Sequence, residues 1–164
     1  MRMFYYDNFF RPLILGFAML LAPMTASAQD KPDPGAAAIT ARQGFMRIVL
    51  WEAGPLFAMA KGKMAYDGGA AGAHAANLKA LTQYPLPSLF VPGTSKADRP
   101  GKTRALADIW ADKAKLEQAY DNLRAAIGGV ASEAGNGQPA LAAAVGELGK
   151  ACGGCHKPFR AKEF

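Results

Sequence analysis

The sequence predicts an all-α protein, an antiparallel four-helix bundle, and two observations support that prediction. Apolar residues recur at intervals of three and four residues in four separate stretches, which is the spacing of one helix face. Runs of Val, Ile or Thr that alternate with polar residues, the mark of strands, are missing from the sequence. Because short connections make neighbouring helices antiparallel, four such stretches predict a bundle.

Residues 1–28 have the layout of a secretory signal peptide. Arg11 supplies positive charge, an apolar run follows from Pro12 to Leu21, and Ala26-Ser27-Ala28 fits an A-x-A cleavage site. The apolar run is shorter than the ~20 residues that a membrane-spanning helix needs. We therefore expect export to the periplasm and cleavage after Ala28, which leaves residues 29–164 as a bundle with no membrane span. Retention of the run as an anchor is the alternative.

The first helix is predicted to open after Asp33-Pro34, because Asp is a good N-cap and Pro suits the first helical position. It should stop near Lys61-Gly62, since glycine favours helix ends. Trp51 lies within this stretch and is expected to be a core or loop-anchoring residue. The apolar positions that recur at helical spacing are Ile39, Met46, Val49, Leu50, Ala53, Leu56, Phe57 and Ala60.

The second helix has a weaker pattern and covers about residues 69–83. Pro85 and Pro87 end it, because proline lacks the backbone N–H that a helix interior uses. The stretch from Tyr84 to Lys102 holds four prolines and two glycines. It is longer than the usual connections in helical bundles, so we expect it to be ordered against the bundle or to be functional.

The third helix is predicted to start near Asp112, a good N-cap, and to fade at Ala134-Gly135. Gly137-Gln138-Pro139 then opens the fourth helix. The apolar stripe of the third helix is Leu116, Ala119, Tyr120, Leu123, Ala126, Ile127 and Val130. One face of the fourth helix holds Leu141, Ala144, Val145, Leu148, Cys152, Cys155, His156 and Phe159.

The fourth helix contains a C-x-x-C-H motif, Cys152-Gly153-Gly154-Cys155-His156, which is typical of covalent haem attachment. The two thiols add to the haem vinyl groups, and the histidine lies under the iron as its proximal ligand. A redox disulfide is disfavoured, because such sites usually follow a strand. A closed zinc site needs four ligands, and the only other histidine is His74, which we expect to face solvent. The motif therefore predicts one haem c.

Four helices ending in CGGCHKPFR resemble the class II c-type cytochromes, the cytochrome c′ superfamily, over nearly all of residues 29–164. The segment Arg42-Gln43-Gly44-Phe45-Met46 looks like the family's arginine and distal residue. The resemblance implies that Arg42 neutralises a haem propionate and that Arg160 is a basic residue beside the haem. Further segments that resemble the family, in the same order, are residues 61–67, residues 92–95 and residues 109–110.

Within this resemblance, the residue four positions after Arg42 decides the kind of haem site. Cytochromes c′ proper have an apolar or aromatic residue there and a five-coordinate, high-spin iron, and they bind NO or CO. A second branch has methionine there and a six-coordinate, low-spin iron, and its members look like electron carriers. Here the residue is Met46, a soft thioether donor, which favours a monohaem electron carrier of the periplasm with His156 and Met46 as iron ligands. The alternative is a five-coordinate site that binds NO or CO, for which Phe45 would stand in if the register slipped by one.

The charge and the side-chain chemistry of the chain limit the classes of partner and of activity that it can have. The net charge is +6, and removal of residues 1–28 leaves about +5. Lys and Arg are scattered, which argues against a nucleic-acid partner, whereas redox partner proteins of unknown identity suit a haem protein. No acid–base pair or nucleophilic triad is visible, so no enzymatic activity is expected. Dimers are common in the family, but the Ala/Gly-rich surface leaves monomer and homodimer both open.

Overall fold

A computed structural model describes residues 33–164, and the predicted signal peptide lies outside the described residues. The helices are α1 Pro34–Ala60, α2 Gly68–Leu81, α3 Asp108–Ala111, α4 Lys113–Glu133 and α5 Gln138–Phe159, and a 3-10 turn covers Leu86–Leu89. The four long helices form the bundle that the sequence predicts, with α1 packed against α2 and α5, and α4 packed against α2 and α5. The 3-10 turn and the short helix α3 interrupt the long connection between α2 and α4.

Aspartate side chains cap three of the long helices. Asp33 Oδ1 accepts hydrogen bonds from the amides of Gly35 and Ala36, at 2.9 and 3.2 Å. Asp67 and Asp112 each accept one amide hydrogen bond of 3.0 Å in the same way. A carboxylate at this place satisfies amides that have no partner within the helix and complements the helix dipole. The starts predicted for the first and third sequence stretches are confirmed.

The main core cluster lies where the four long helices meet. Its most deeply buried side chains include Leu56 and Met59 of α1, Leu78 of α2 and Leu141 of α5. A second, smaller core cluster lies near the end of α5 and consists of Ala105, Ile109, Leu116 and Phe159. The two clusters share the C-terminal half of α5, so this part of the helix has apolar neighbours on both sides.

Two predictions about α1 are wrong: Leu50 and Trp51 are 70% and 75% exposed and belong to neither core cluster. The inward face of α1 passes through Met46, Val49 and Ala53. Each residue of an α-helix turns the side chain by about 100°, so the position after Val49 already points away from the core. Because α1 is apolar on several faces, its sequence pattern alone did not select the buried one.

The long connection is ordered against the bundle, as one of the two sequence expectations had it. Trp110 donates its indole N–H to the carbonyl of Phe90 at 2.9 Å and so anchors the connection. The buried Tyr120 of α4 donates its hydroxyl to the carbonyl of Tyr84. Within residues 33–164, no helix combines the length and the apolar character that crossing a membrane would require.

Candidate haem-attachment site

Cys152, Cys155 and His156 lie on the last two turns of α5 and are all half-buried. Their spacing of three and four residues places them on one helix face. Cys152 packs against the main core cluster and Cys155 against the second cluster. Both thiols are free. The motif therefore stands between two apolar clusters, with both sulfur atoms available for thioether bonds.

The thiol chemistry fits haem attachment better than the two alternatives. Burial raises the pKa of Cys152, and burial together with the nearby Cys152 raises the pKa of Cys155. Redox-active C-x-x-C pairs depend instead on a lowered thiol pKa. No group of three or more metal-binding His, Cys, Asp or Glu side chains occurs among the described residues, as a structural zinc site would require.

The imidazole of His156 is held in the form that binds metal. Burial lowers its pKa, and the positive charges of Arg160 and Arg104 lower it further. A neutral imidazole has a free nitrogen lone pair, which is what iron coordination uses. Arg104 was not singled out from the sequence. It lies on the long connection, and only the tertiary contacts of that connection bring it near His156.

Helix α1 supplies the wall that faces the motif. It runs antiparallel to α5: Gln138 Nε2 donates to the carbonyl of Met59 at 2.9 Å, and a Cβ at Gly149 would lie 3.7 Å from the Phe57 ring. Equal rise along both helices places Met46 level with residues between about 151 and 160. His156, the residue that the sequence pairs with Met46, falls within this range.

Met46 and Phe45 are both half-buried and pack against the main core cluster. The Phe45 ring also contacts Tyr84 of the long connection, with 6.0 Å between ring centroids. Two candidate distal residues thus border the same region of the core. Iron ligation by Met46 stays a prediction.

Arg42 is buried and holds the long connection. Its Nη1 donates to Thr94 Oγ1 and the Leu89 carbonyl, and its Nη2 donates to the Thr94 carbonyl and Thr103 Oγ1, at 2.7–3.3 Å. The guanidinium also lies 5.2 Å from the centroid of the Phe90 ring. These bonds use all four Nη hydrogens. Binding of a haem propionate by Arg42 stays a prediction, with the Nε–H as the remaining donor.

The two other polar residues considered from the sequence have different surroundings. Arg160 is exposed and follows the last residue of α5, where its charge acts on His156. Its contact with a haem stays a prediction. The prediction that His74 faces solvent is wrong. Its Nδ1 lies 2.7 Å from Glu52 Oε2 of α1, and its side chain is 28% exposed. The pair joins α1 to α2 and takes no part in the site.

The residues present fit a haem c. Haem attachment needs two neutral thiols with a two-residue spacer and a neutral histidine directly after them, and α5 provides both. It also needs apolar surroundings, which the wall of α1 provides.

The chain matches known proteins over most of its length. The family model for cytochrome C′ matches residues 37–160. A cytochrome c′ of Cereibacter sphaeroides is 41% identical over 152 residues, which cover 93% of this chain and 99% of the relative. A cytochrome c-554 of the same organism is 33% identical over 154 residues, with the same two coverages.

Solved structures have the same fold. A cytochrome c′ from Rhodobacter spheriodes is 43% identical with a TM-score of 0.77, and the match covers 80% of this chain and 100% of that one. A cytochrome c′ variant from Alcaligenes xylosoxidans, solved as a nitric oxide complex, is 26% identical with a TM-score of 0.68. That match also covers 80% of this chain and 100% of the other.

A bundle of four long helices with a C-x-x-C-H motif near the end of its last helix defines a class of c-type haem proteins. Within that class, the chain belongs to the cytochrome c′ family. Its cofactor is one haem c, bound covalently, as the motif predicts. The fold class and the cofactor predicted from the sequence are confirmed.

Proposed function

We propose that this chain is a periplasmic, monohaem cytochrome c′ whose iron binds NO or CO on the face opposite His156. The observation that carries the proposal is the similarity to relatives named cytochrome c′, at 41% identity over 93% of the chain. One similar structure is a nitric oxide complex. These relatives favour the alternative of the sequence analysis over its first interpretation, the methionine-ligated electron carrier.

The roles of the residues follow from their positions. Cys152 and Cys155 would form the two thioether bonds, and His156 would hold the iron. The haem, when bound, would supply the iron that binds the diatomic gas. Phe45 and Met46 of α1, which pack against the main core cluster, would give the gas an apolar environment, and this suits a small neutral ligand. No residue is assigned a catalytic role, and no enzymatic activity is proposed.

A second candidate function is supported by Met46 itself. It stands four residues after Arg42, the stretch of α5 opposite it includes His156, and a thioether is a donor that haem iron accepts. Ligation by Met46 would saturate the iron and suit a carrier that passes single electrons to a redox partner protein. The two functions therefore differ in one bond.

Absorbance spectra of the purified holoprotein separate the two functions. The proposed gas-binding function predicts a high-spin spectrum at neutral pH and CO binding by the reduced wild type. Met46→Leu should then leave the spin state unchanged, as should the matched variant Phe45→Leu. A low-spin wild type that becomes high-spin and CO-reactive only in Met46→Leu would overturn the gas-binding proposal and establish the electron carrier.

We also propose that the chain forms a homodimer through the exposed face of α1. Ile48 and Trp51 are 50% and 75% exposed and lie three residues apart on one face of that helix, and Leu50, 70% exposed, lies at the edge of this face. Large apolar side chains exposed as a group mark protein–protein contact surfaces. Two copies of this face would cover each other's apolar residues, which suits the self-complementary contact of a twofold dimer.

A further inference from the structure

Residues 160–164 pair with the long connection beside the end of α5. An antiparallel bridge joins Ala105 to Arg160. The Leu106 amide donates to the carbonyl of Phe159 at 2.9 Å, and the Ala161 amide donates to the carbonyl of Arg104 at 2.8 Å. Three consecutive residues of the connection are thus fixed against the chain that leaves the haem-bearing helix.

The side chain of Arg104 is held by the same segment. Its Nη1 donates to the Lys162 carbonyl at 3.0 Å, and its guanidinium carbon lies 5.2 Å from the centroid of the Phe164 ring. Backbone and side chain of Arg104 therefore both bind residues 160–164. A charged side chain with two such contacts loses much of its freedom to move into solvent, so its charge acts from a defined place.

The positive charge of Arg104 is not neutralised by an ion pair with a neighbouring carboxylate of the described residues. Within residues 33–164, neither Arg104 nor Arg160 takes part in an ion pair. The Arg160 amide donates to the His156 carbonyl at 3.1 Å, and Arg160 in turn is bridged to Ala105. Arg104, the residue before Ala105, therefore lies beside the last turn of α5, which begins at His156.

We propose that Arg104, positioned by residues 160–164, is a second cation beside the proximal histidine that raises the reduction potential of the haem. The ferric haem carries one positive charge more than the ferrous haem. A nearby fixed cation repels the ferric form more strongly and so favours the reduced form. The inference rests on His156 as the iron ligand. It goes beyond the proposed function, because it concerns the redox equilibrium and not the occupant of the opposite face.

The test compares midpoint potentials of holoprotein variants by spectroelectrochemistry. Arg104→Gln removes the charge and should lower the midpoint, so that at the wild-type midpoint the ratio of oxidised to reduced protein rises about threefold or more. Arg104→Lys keeps the charge and should stay close to wild type. Lys63→Gln is the matched control: it removes one exposed charge beyond the far end of α1 and should leave the ratio unchanged.

A second measurement reads the positioning itself. Hydrogen exchange at the Ala161 amide reports the pairing of residues 160–164 with the connection, independently of the haem. Phe164→Ala keeps every charge but removes the ring beneath Arg104, and it should lower the midpoint by less than Arg104→Gln does. Protection of the Ala161 amide should persist in Arg104→Lys.

Three outcomes would overturn the inference. One is an Arg104→Gln midpoint no lower than that of Lys63→Gln. Another is an Arg104→Lys midpoint as low as that of Arg104→Gln, because the effect would then not follow the charge. If the Ala161 amide of the wild type were not protected from hydrogen exchange, residues 160–164 would not hold Arg104 in place. A haem spectrum that shows no histidine ligation would contradict the proposed function as well, whereas a normal spectrum with unshifted potentials contradicts this inference alone.

Discussion

At the scale of single residues, Arg42 connects the helix that faces the haem motif to the long connection. Its Nη donors bind Leu89, Thr94 and Thr103, which are spread over 15 positions of the connection. The hydrogen bonds of this one side chain therefore order a segment that has little secondary structure of its own. Burial lowers the pKa of Arg42, yet a guanidinium remains charged at any ordinary pH.

Arg42→Met should destabilise the holoprotein by about 3 kcal/mol or more, because it leaves buried acceptors of Thr94 and Thr103 without a donor. Urea unfolding measured by helical circular dichroism checks this free energy. Lys79→Met, at an exposed position of α2 outside the proposed dimer contact, is the control and should change stability by no more than about 0.5 kcal/mol. Equal effects of the two variants would contradict the role given to Arg42.

At the scale of elements, the start of α1 is tied to the long connection by an ion pair. Arg99 Nη1 lies 2.6 Å from Asp33 Oδ2, while Asp33 Oδ1 caps the helix. A Cβ added at Gly35 would lie 2.9 Å from Arg99 Nη2, so glycine provides the room for this contact. The hydrogen bond from Arg99 is the largest cause of the lowered pKa of Asp33.

The Asp33 carboxylate should make the stability of the protein depend on pH in acid. Its folded pKa lies below the unfolded value of 3.8, so its contribution is fully present above that pH and is lost as the pH falls through the folded pKa. Asp33→Asn keeps a good N-cap without the charge. The difference in unfolding free energy between wild type and Asp33→Asn should therefore shrink below about pH 4. Urea titrations across that range measure the difference, and a constant difference would contradict the ion-pair contribution.

Helix α1 also shows how one element divides into buried and exposed leucines. Leu56→Ala should destabilise the protein by about 2–5 kcal/mol, because this side chain is fully buried in the main core cluster. Leu50→Ala, six residues earlier on the same helix, should cost no more than about 0.5 kcal/mol when unfolding is measured at concentrations where the protein is a monomer. Thermal and urea unfolding of both variants at those concentrations check the pair. Similar losses in the two monomeric variants would contradict the assignment of Leu56 as buried and Leu50 as exposed.

At the scale of the whole molecule, the exposed apolar face of α1 determines the expected assembly. Trp51→Glu places a charge in the middle of the proposed homodimer contact, where burying it without a partner is costly. The variant should sediment as a monomer at concentrations where the wild type is a dimer. Lys63→Glu is a control outside this face and should leave the assembly unchanged. A monomeric wild type would contradict the proposed dimer.

Most of the bundle could be predicted from the sequence, because its signals are local. The N-caps Asp33 and Asp112, the glycine and proline breaks and the apolar spacing each act over a few neighbouring residues. The long connection is different. Its order comes from contacts such as Trp110 to Phe90 and Arg42 to Thr94, whose partners are 20 and 52 positions apart. Neither spacing nor composition predicts such pairs.

The sequence by itself determined the covalent attachment of the haem, because two thiols and a histidine at fixed spacing on one helix need no distant partner. It also determined the class of fold, because the periodicity of apolar residues is local. Only the tertiary structure decided which face of α1 is buried, that Arg42 binds the long connection, and that Arg104 stands near His156. Each of these depends on contacts between segments far apart in the chain, and such contacts are selected by the packing of the complete bundle.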